Sequence, residues 1–153
     1  MRVGTGYDLH RMVEGRPFYL GGVIIPSEKG EEAHSDGDVL LHALIDAILG
    51  SCADGDIGSH FPPEDDKWKD ADSRMLLKAV LDDTKAEIIN IDATVFLERP
   101  KLRPHVDEVR ASLAALLDLD VKAVSLKAKT AEGCLGELGT GDAVAAAVTI
   151  LIE

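Results

Sequence analysis

The segment DVLLHALIDAILG, residues 38–50, is the feature that most restricts how this chain folds. Its apolar side chains recur at helical spacing over most of the helix surface, so a helix formed here needs other elements packed around it. Ser35 lies three residues before Asp38, which is the capping-box pattern of a hydroxyl followed by an acid. We therefore predict a helix from about 36 to 49 that begins behind Ser35 and stops at Gly50.

A single polar row interrupts this helix. Asp38, His42 and Asp46 lie at i, i+4 and i+8 and therefore share one face. A histidine that binds a metal through one ring nitrogen usually donates its other N–H to a carboxylate or a carbonyl, and either aspartate is spaced to accept it. The same row also fits a helix with a narrow solvated edge, so the spacing alone leaves both interpretations open.

The remaining apolar patterns predict a mixture of strands and helices. Residues 2–10 alternate as a strand does, which places Asp8 and His10 on the same side. The other predicted elements are a Gly-Gly hairpin at 18–26, a long loop at 51–71, a helix at about 73–86, a strand at 88–98, a helix from Pro104, and strands at 124–130 and at the C-terminal end. We expect one α+β (mixed α/β) domain over residues 1–153.

Composition excludes several classes of protein. The formal net charge of -12 argues against a nucleic-acid partner, since such binding needs clustered Lys and Arg. A small phosphorylated ligand remains compatible, because a metal, a helix N-terminus or a few local cations are able to hold it. No apolar stretch approaches the roughly 18 residues of a membrane span, and no signal peptide is evident. With two scattered cysteines, Cys52 and Cys134, we expect a soluble protein of a reducing cytoplasm.

Two histidines and one aspartate form a candidate metal site. Asp8, His10 and His42 supply one carboxylate and two imidazoles, a ligand set that suits Zn²⁺ or a similar ion with a fourth position open for catalysis. The first two are neighbours on one side of the predicted strand, and the third has to come from the predicted helix. The D-x-H spacing by itself is a weak motif.

Two further clusters are candidates for phosphate binding. His34 and Ser35 precede the predicted helix, where free backbone N–H groups favour an anion, although Ser35 as a simple N-cap competes with that role. The end of the strand at 124–130 gathers groups that suit a diphosphate with Mg²⁺, although a solvated edge is the simpler interpretation. Those groups are Lys127, Lys129, Thr130 and Glu132. His60 and His105 have no such company and are expected to be ordinary surface or loop residues.

Six motifs follow one another along almost the whole chain: GYDLH, AHSDGDVLLHAL.DA.LG, A.GDIG..FP, WK.ADS, RPKL.PH and KAKT.E. In this order and at this spacing they resemble the 2-C-methyl-D-erythritol 2,4-cyclodiphosphate synthases of the non-mevalonate isoprenoid pathway. Each motif alone is modest, but six in register are specific. The resemblance favours the metal interpretation of Asp8, His10 and His42.

The resemblance implies a cyclisation rather than a hydrolysis. The 2-phosphate of 4-diphosphocytidyl-2-C-methyl-D-erythritol 2-phosphate attacks the β-phosphorus, closes an eight-membered cyclic diphosphate and expels CMP without consuming water. It also implies a homotrimer with active sites between adjacent subunits, built on a ferredoxin-like mixed sheet with helices outside. The expected location is the bacterial cytoplasm, or the plastid stroma for a plastid source, with no nucleic-acid or membrane partner.

The resemblance also implies two metal sites. Asp8, His10 and His42 bind Zn²⁺ or another divalent transition metal that positions the β-phosphate. Glu132 helps to bind Mg²⁺ or Mn²⁺ between the α- and β-phosphates. Metals suit this reaction because they screen the repulsion between two anionic phosphates and stabilise charge on the leaving group.

The remaining site residues follow from the same resemblance. His34 and Thr130 take positions that stabilise the transition state, and Ser35 adds a phosphate contact. Sugar or erythritol hydroxyls are expected to contact Asp56, Ile57, Gly58, Phe61, Pro62, Pro63, Glu64 and Asp65. The cytosine is expected to contact Leu97, Glu98, Arg99, Pro100, Lys101, Leu102 and Arg103, largely through backbone groups. The other expected substrate contacts are Asp8, Leu9, His10, Lys129, Ala131 and Glu132.

Two departures from the family pattern limit this transfer. Pro63 stands where some members have Asp, so hydroxyl recognition is expected to shift to Glu64 or Asp65. The Arg that many bacterial members carry before the last strand is missing, and Thr140 lies nearby instead. Because that Arg lines the central pore of the trimer in relatives, ligand binding in the pore does not transfer.

The residues alone are also compatible with two other functions. A metal-dependent phosphohydrolase uses the same ligands together with a base that activates water. A noncatalytic metal-binding oligomer uses Asp8, His10 and His42 only to stabilise its fold, and such a structural site normally takes a fourth protein ligand. His34 is the only candidate for that ligand near these residues.

Overall fold

The computed structural model describes residues 1–153 and contains seven strands and five helices. The strands are β1 (Arg2–Glu14), β2 (Phe18–Leu20), β3 (Val23–Ile25), β4 (Lys29–Glu32), β5 (Ile88–Phe96), β6 (Val124–Lys129) and β7 (Ala143–Ile152). The helices are α1 (Val39–Cys52), α2 (Ile57–His60), α3 (Ser73–Thr84), α4 (Val106–Leu117) and α5 (Glu137–Thr140). Every strand and long helix expected from the sequence is present, with boundaries shifted by a few residues.

The central sheet has five strands in the order β4-β1-β7-β5-β6. β7 pairs antiparallel with both β1 and β5, whereas β5 and β6 run parallel and are connected through α4. The sheet is therefore mixed, which confirms the predicted mixed α+β class. β2 and β3 form a separate hairpin whose turn residues, Gly21 and Gly22, have φ values of 60° and 80°, so the Gly-Gly turn prediction was correct.

α1 occupies the centre of the molecule. It packs on β1 and β7 on one side and on α3 on the other, and its apolar side chains are fully buried. Its N-cap is Asp38, whose side chain accepts the backbone N–H of Leu41, so the predicted start behind Ser35 was wrong. The helix also continues past Gly50 to Cys52, because Ala53 adopts the left-handed conformation that ends it.

The alternation in β1 produces two different faces. Asp8 and His10 lie on the side that faces α1, as predicted, together with the glycines of the strand. Val3, Tyr7 and Leu9 lie on the opposite side and remain 64%, 58% and 50% exposed. No helix of the chain covers that apolar face.

Two other predictions, for β5 and for the loop at 51–71, needed correction. A bulge at the start of β5 leaves Ile89 half exposed, although the strand pattern placed it on the core side with Ile91. The predicted loop at 51–71 contains the short helix α2 and a 3₁₀ turn at Asp66–Trp68.

No helix has both the length and the apolar character that crossing a bilayer requires.

The contact between β1 and α1 is unusually close. A Cβ atom added at Gly4 would lie 1.9 Å from the carbonyl oxygen of Ala47, and one added at Gly6 would lie 1.9 Å from that of Ala43. Because neither position has room for a side chain, glycine lets the strand rest directly on the helix backbone. This approach sets the distance between Asp8 and the side chains of α1.

We expect Gly6→Ala to destabilise the protein by about 1–3 kcal/mol or more, because β1 and α1 have to separate. Gly50→Ala is the matched control, since a Cβ there meets only the carbonyl oxygen of Thr5 at 3.8 Å. As Gly50 lies within α1, its replacement is expected to stabilise the helix by about 0.5–1 kcal/mol. Urea unfolding measures both changes, and equal effects of the two substitutions would contradict the close-packing argument.

Candidate metal centre and substrate cleft

Asp8, His10 and His42 converge as predicted. Nε2 of His10 lies 2.9 Å from Oδ2 of Asp8, and Nδ1 of His42 lies 3.1 Å from the same oxygen. The two imidazole rings meet edge to face with centroids 5.1 Å apart. One ligand atom from each residue lies within 4.8 Å of the others. The strand and the central helix thus bring two nitrogens and one carboxylate to a single point.

The far nitrogen of each ring has its own partner. Nδ1 of His10 lies 2.7 Å from the carbonyl oxygen of Gly37, to which it donates. Nε2 of His42 lies 2.9 Å from Oγ of Ser73 and 3.1 Å from Oγ of Ser35. These contacts fix the ring planes and direct the other nitrogens towards Asp8.

The prediction that Asp38 or Asp46 accepts from His42 was wrong. The carboxylate of Asp38 is fully buried and accepts the N–H groups of Gly21, Gly22 and Leu41 at 2.7–3.0 Å. Oδ1 of Asp46 accepts the N–H of Ile57 at 2.7 Å. Asp38 therefore holds the hairpin to the start of α1, and Asp46 holds the segment at Ile57 to the middle of the same helix.

The electrostatics of the group favour a charged carboxylate. Burial acts to raise the pKa of Asp8, but hydrogen bonds and attraction from His10 and His42 outweigh it and hold the pKa well below its usual range. Burial acts to lower the pKa of His10, but the hydrogen bond and the charge of Asp8 outweigh it and raise the pKa. Asp8 is therefore ionised at neutral pH and attracts a cation.

The donor set fits a divalent transition metal. Because Nδ1 of His10 faces the carbonyl oxygen of Gly37, the proton of neutral His10 belongs on Nδ1, and its Nε2 lone pair faces Asp8. A lone pair that faces a carboxylate oxygen requires a positive charge between the two groups or on the ring. Two imidazoles and one carboxylate meet that requirement with a metal ion and leave a fourth position free.

A cleft of about 290 Å³ opens beside the group. The phenyl ring of Phe61 and the indole of Trp68 pack edge to face in its wall with centroids 4.9 Å apart. The residues that line it are Asp8, His10, Glu32, Ala33, His34, Ser35, His42, Ile57, Gly58, Phe61, Pro63, Trp68 and Leu76. The cleft joins the candidate metal site to several residues expected to contact a sugar.

His34 and Ser35 both lie in this cleft. Nε2 of His34 is buried and has no hydrogen-bond partner, which is rare for a buried polar atom outside functional sites. Ser35 is buried, and its hydroxyl contacts His42 and accepts the N–H of Gly37 at 3.2 Å. Ser35 is thus part of the site rather than the cap of α1.

The segment predicted to contact sugar hydroxyls divides into two groups. Ile57, Gly58, Phe61 and Pro63 line the cleft, whereas Asp56 caps α2 by accepting the N–H of Ser59 at 2.8 Å. The residues of this segment that do not line the cleft are Asp56, Pro62, Glu64 and Asp65. Sequence reasoning missed Glu32, Trp68, Leu76 and the buried Ser73. Trp68 and Ser73 carried a signal, through their places in the WK.ADS motif.

The remaining predicted residues form a second group. The N–H of Leu97 donates to the carbonyl of Lys129 at 2.9 Å, and the N–H of Ala131 donates to Glu98 at 3.1 Å. Oγ1 of Thr130 donates to the carboxylate of Glu132 at 3.0 Å. The segments 97–103 and 129–132 are thereby joined, and none of their residues lines the metal cleft.

The sheet order accounts for this separation. β7 and β5 lie between β1 and β6, so Asp8 and the end of β6 are about 14 Å apart across three strand spacings. Arg99 and Pro100 line a different cleft of about 780 Å³ together with Lys29 and Thr140. Lys127, which the sequence grouped with this cluster, pairs with Asp92 instead.

The sequence indicated no ligand partners for His60, but the structure places two carboxylates beside it. His60, Asp54 and Asp83 also offer ligand atoms within 4.8 Å of one another. Nε2 of His60, however, donates to the backbone carbonyl of Asp54 at 2.8 Å, and both carboxylates are exposed. His105 lies on the 3₁₀ turn before α4, where it lines a small apolar pocket together with Leu20.

We expect His42→Ala to lose one equivalent of zinc per chain, because it removes one of three ligands. Folding is expected to change little, since His42 lines the cleft and is not part of the apolar core cluster. His60→Ala is the matched control and is expected to retain that equivalent. Zinc is measured by elemental analysis after dialysis, and folding by thermal unfolding. Wild-type zinc content in His42→Ala would contradict the assignment.

The chain is similar to proteins of one family over its whole length. The sequence profile of the YgbB family matches residues 1–153. A 2-C-methyl-D-erythritol 2,4-cyclodiphosphate synthase of Salinibacter ruber is 54% identical over 156 residues, which covers 100% of this chain and 99% of that protein. The enzyme of the same name from Treponema denticola is 52% identical over 155 residues and covers 99% of this chain and 96% of its own length.

Solved structures agree with these relatives. A 2C-methyl-D-erythritol-2,4-cyclodiphosphate synthase in a CDP-bound form superposes with a TM-score of 0.90 at 38% identity, over 99% of this chain and 100% of that one. The bifunctional IspDF from Campylobacter jejuni superposes with a TM-score of 0.91 at 41% identity. That alignment covers 97% of this chain and 41% of the longer protein.

Proposed function

The chain belongs to the YgbB family, and from this membership we propose that it is a 2-C-methyl-D-erythritol 2,4-cyclodiphosphate synthase. It converts 4-diphosphocytidyl-2-C-methyl-D-erythritol 2-phosphate to the cyclic diphosphate and releases CMP. The observation that carries the proposal is the convergence of Asp8, His10 and His42 beside a cleft that also contains His34.

The reaction is an intramolecular displacement at phosphorus. An oxygen of the 2-phosphate forms a bond to the β-phosphorus while the bond from the β-phosphorus to the bridging oxygen of the α-phosphate breaks, so CMP leaves with that oxygen. No water enters, and the chain has to hold two anionic groups in contact. Positioning of the two phosphates is therefore the main task of the protein.

Asp8, His10 and His42 would hold Zn²⁺ or another divalent transition metal, and Glu132 would contribute to a second site for Mg²⁺ or Mn²⁺. When bound, these ions neutralise phosphate charge and stabilise the charge that develops on the leaving group. The arrangement supports this assignment, because both histidines have their far nitrogens held and their near nitrogens directed at Asp8.

His34, Ser35 and Thr130 act on the phosphates directly. The buried, unpartnered Nε2 of His34 is available to a phosphate oxygen, and the hydroxyl of Ser35 lies beside it in the same cleft. Thr130 stabilises the transferred phosphate from the second group of residues, together with Lys129 and Glu132. These hydrogen bonds count most where charge develops in the transition state.

The remaining contacts orient the two ends of the substrate. The erythritol hydroxyls lie against the segments 56–58 and 61–65, of which Ile57, Gly58, Phe61 and Pro63 line the cleft. The cytosine lies against 97–103, where backbone groups distinguish it. Leu9 and Ala131 complete the set of substrate contacts.

The active site forms between adjacent subunits of a homotrimer with ferredoxin-like layering. The metal cleft and the group at 97–103 and 129–132 lie apart on one chain, which supports the proposal that a neighbouring subunit supplies the second group to each cleft. The exposed face of β1, with Val3, Tyr7 and Leu9, supplies apolar surface for that contact.

The enzyme works in the cytoplasm on a small cytidine diphosphate substrate, without nucleic-acid or membrane partners. Both cysteines, Cys52 and Cys134, are unpaired, which fits a reducing compartment. The excess of acidic residues disfavours large polyanions as partners.

The test of the reaction is an assay of the full-length protein with the cytidine substrate, followed by ³¹P NMR. We expect CMP and the cyclic diphosphate in equal amounts, and no turnover after a chelator has removed the metals. His34→Ala is expected to keep its zinc and to lose activity by about 10²–10³-fold, because one donor to the transition state is missing.

Two results would contradict this function. Inorganic phosphate in place of the cyclic product indicates a phosphohydrolase. Loss of zinc in His34→Ala indicates that His34 is a fourth ligand and that the site is structural.

We expect Tyr7→Glu to convert the trimer to monomers, because it places a charge on the apolar face of the sheet. The variant is expected to keep its zinc but to lose turnover, since the two groups of site residues no longer meet. Met75→Glu is the matched control, because Met75 is 71% exposed on α3, on the other side of the sheet. Light scattering with chromatography measures the assembly, and a fully active monomer would contradict the shared site.

A further inference from the structure

Ser73 and Asp36 lie behind the candidate metal site, on the side of His42 away from Asp8. Ser73 is the first residue of α3 and is fully buried. Its hydroxyl donates to Oδ1 of Asp36, and its N–H donates to Oδ2 of the same carboxylate at 2.9 Å. The oxygen of that hydroxyl also lies 2.9 Å from Nε2 of His42. The three side chains form one continuous chain of hydrogen bonds.

The protons in this chain have only one consistent arrangement. A hydroxyl has a single proton, and that of Ser73 is committed to the carboxylate of Asp36. The oxygen of Ser73 must therefore accept a hydrogen bond from Nε2 of His42. A neutral imidazole that carries its proton on Nε2 leaves the lone pair on Nδ1, and Nδ1 is the nitrogen that faces Asp8.

Ser35 does not determine which nitrogen of His42 carries the proton. Its oxygen also lies near Nε2 of His42, at 3.1 Å, but it accepts the N–H of Gly37 and keeps its own proton free. Such a hydroxyl is able to donate to a bare nitrogen or to accept from a protonated one. Only Ser73 has its proton held elsewhere.

Asp36 is itself held firmly. Its carboxylate also accepts the N–H of Asp38 at 3.1 Å, and its backbone N–H donates to the carbonyl of Ala71 at 3.0 Å. The N–H of Asp70 donates to the carbonyl of His34 at 2.8 Å. The segment before α1 and the segment before α3 are therefore joined at several points, and Asp36 and Ser73 keep their mutual position.

We propose that Asp36 and Ser73 are positioning residues that fix His42 in its Nε2–H tautomer and so keep Nδ1 free to bind the metal. The inference rests on the metal site of the proposed function, but it concerns the protein without metal as well. It also gives a physical role to the serine of the WK.ADS motif and to the first aspartate of SDGD.

The first measurement is the tautomer of His42 in the full-length, metal-free protein labelled with ¹⁵N-histidine. Two-bond ¹H–¹⁵N spectra separate the two tautomers, and the spectrum of His42→Ala assigns the signals. We expect a proton on Nε2 of His42 in the wild type, whether or not Nδ1 is also protonated beside Asp8, and a mixture of tautomers in Ser73→Ala.

The second measurement is zinc affinity, determined by competition with a chelator. We expect Ser73→Ala to bind zinc about 10–100-fold more weakly, the range typical of partners that orient a metal-binding histidine. Ser51→Ala is the matched control, because Ser51 is another buried serine, on α1, whose hydroxyl donates to the carbonyl of Ile48 away from the site. It is expected to keep both the tautomer and the zinc affinity of the wild type.

Asp36→Ala provides an independent test if Ser73→Ala does not fold. It frees the proton of Ser73, so that the hydroxyl, like that of Ser35, is able either to donate to Nε2 of His42 or to accept from it. Both a mixture of tautomers and weaker zinc binding are therefore expected. An Nε2–H tautomer and a zinc dissociation constant within twofold of wild type in the folded variants would overturn the inference and leave the metal site intact. A wild-type protein that binds no zinc would overturn the metal site itself.

Discussion

The close approach of β1 to α1 is the contact on which the candidate site depends. Gly4 and Gly6 place the strand directly against the carbonyl oxygens of the helix, at a distance that no side chain permits. The next residues on the same side of the strand are Asp8 and His10, and the helix presents His42 to them. The same backbone contact that closes the core therefore also sets the spacing of the candidate metal ligands, so packing and the proposed chemistry are linked through two glycines.

Two buried acids hold the start of α1 in place. Burial raises the pKa of Glu31 well above its usual range, and the nearby charge of Asp38 adds to the effect. Burial also raises the pKa of Asp38, but three backbone N–H groups stabilise its charged form, so Asp38 is the partner that holds the charge. Glu31 accepts the first N–H of the helix, from Val39, at 3.1 Å. The helix N-terminus, favourable to negative charge, is thus satisfied from within the core, and Ser35 is left free to face His42.

The sequence was sufficient for patterns that depend on local spacing. The alternation of β1 predicted that Asp8 and His10 share a side, and the apolar run around His42 predicted the central helix. Ser35 was misassigned as the cap because SDGD offers three possible capping side chains, and the choice is made by the N–H groups of Gly21 and Gly22, which are distant in sequence. Ser73 lies 31 residues from His42, so no periodicity connects them. Local rules predict elements, whereas the partners of a buried polar group depend on which elements meet.

The distribution of site residues over the sheet has a consequence for assembly. β1 and α1 carry the candidate metal ligands, whereas the ends of β5 and β6 carry the second group, and β7 lies between β1 and β5. On one chain the sheet keeps the two groups three strand spacings apart, a distance of about 14 Å. In the trimer that we propose, association through the uncovered face would bury Val3, Tyr7 and Leu9 and would bring the second group of one chain to the cleft of another. The apolar face and the divided site are thus two results of one topology, in which helices cover only one side of the sheet.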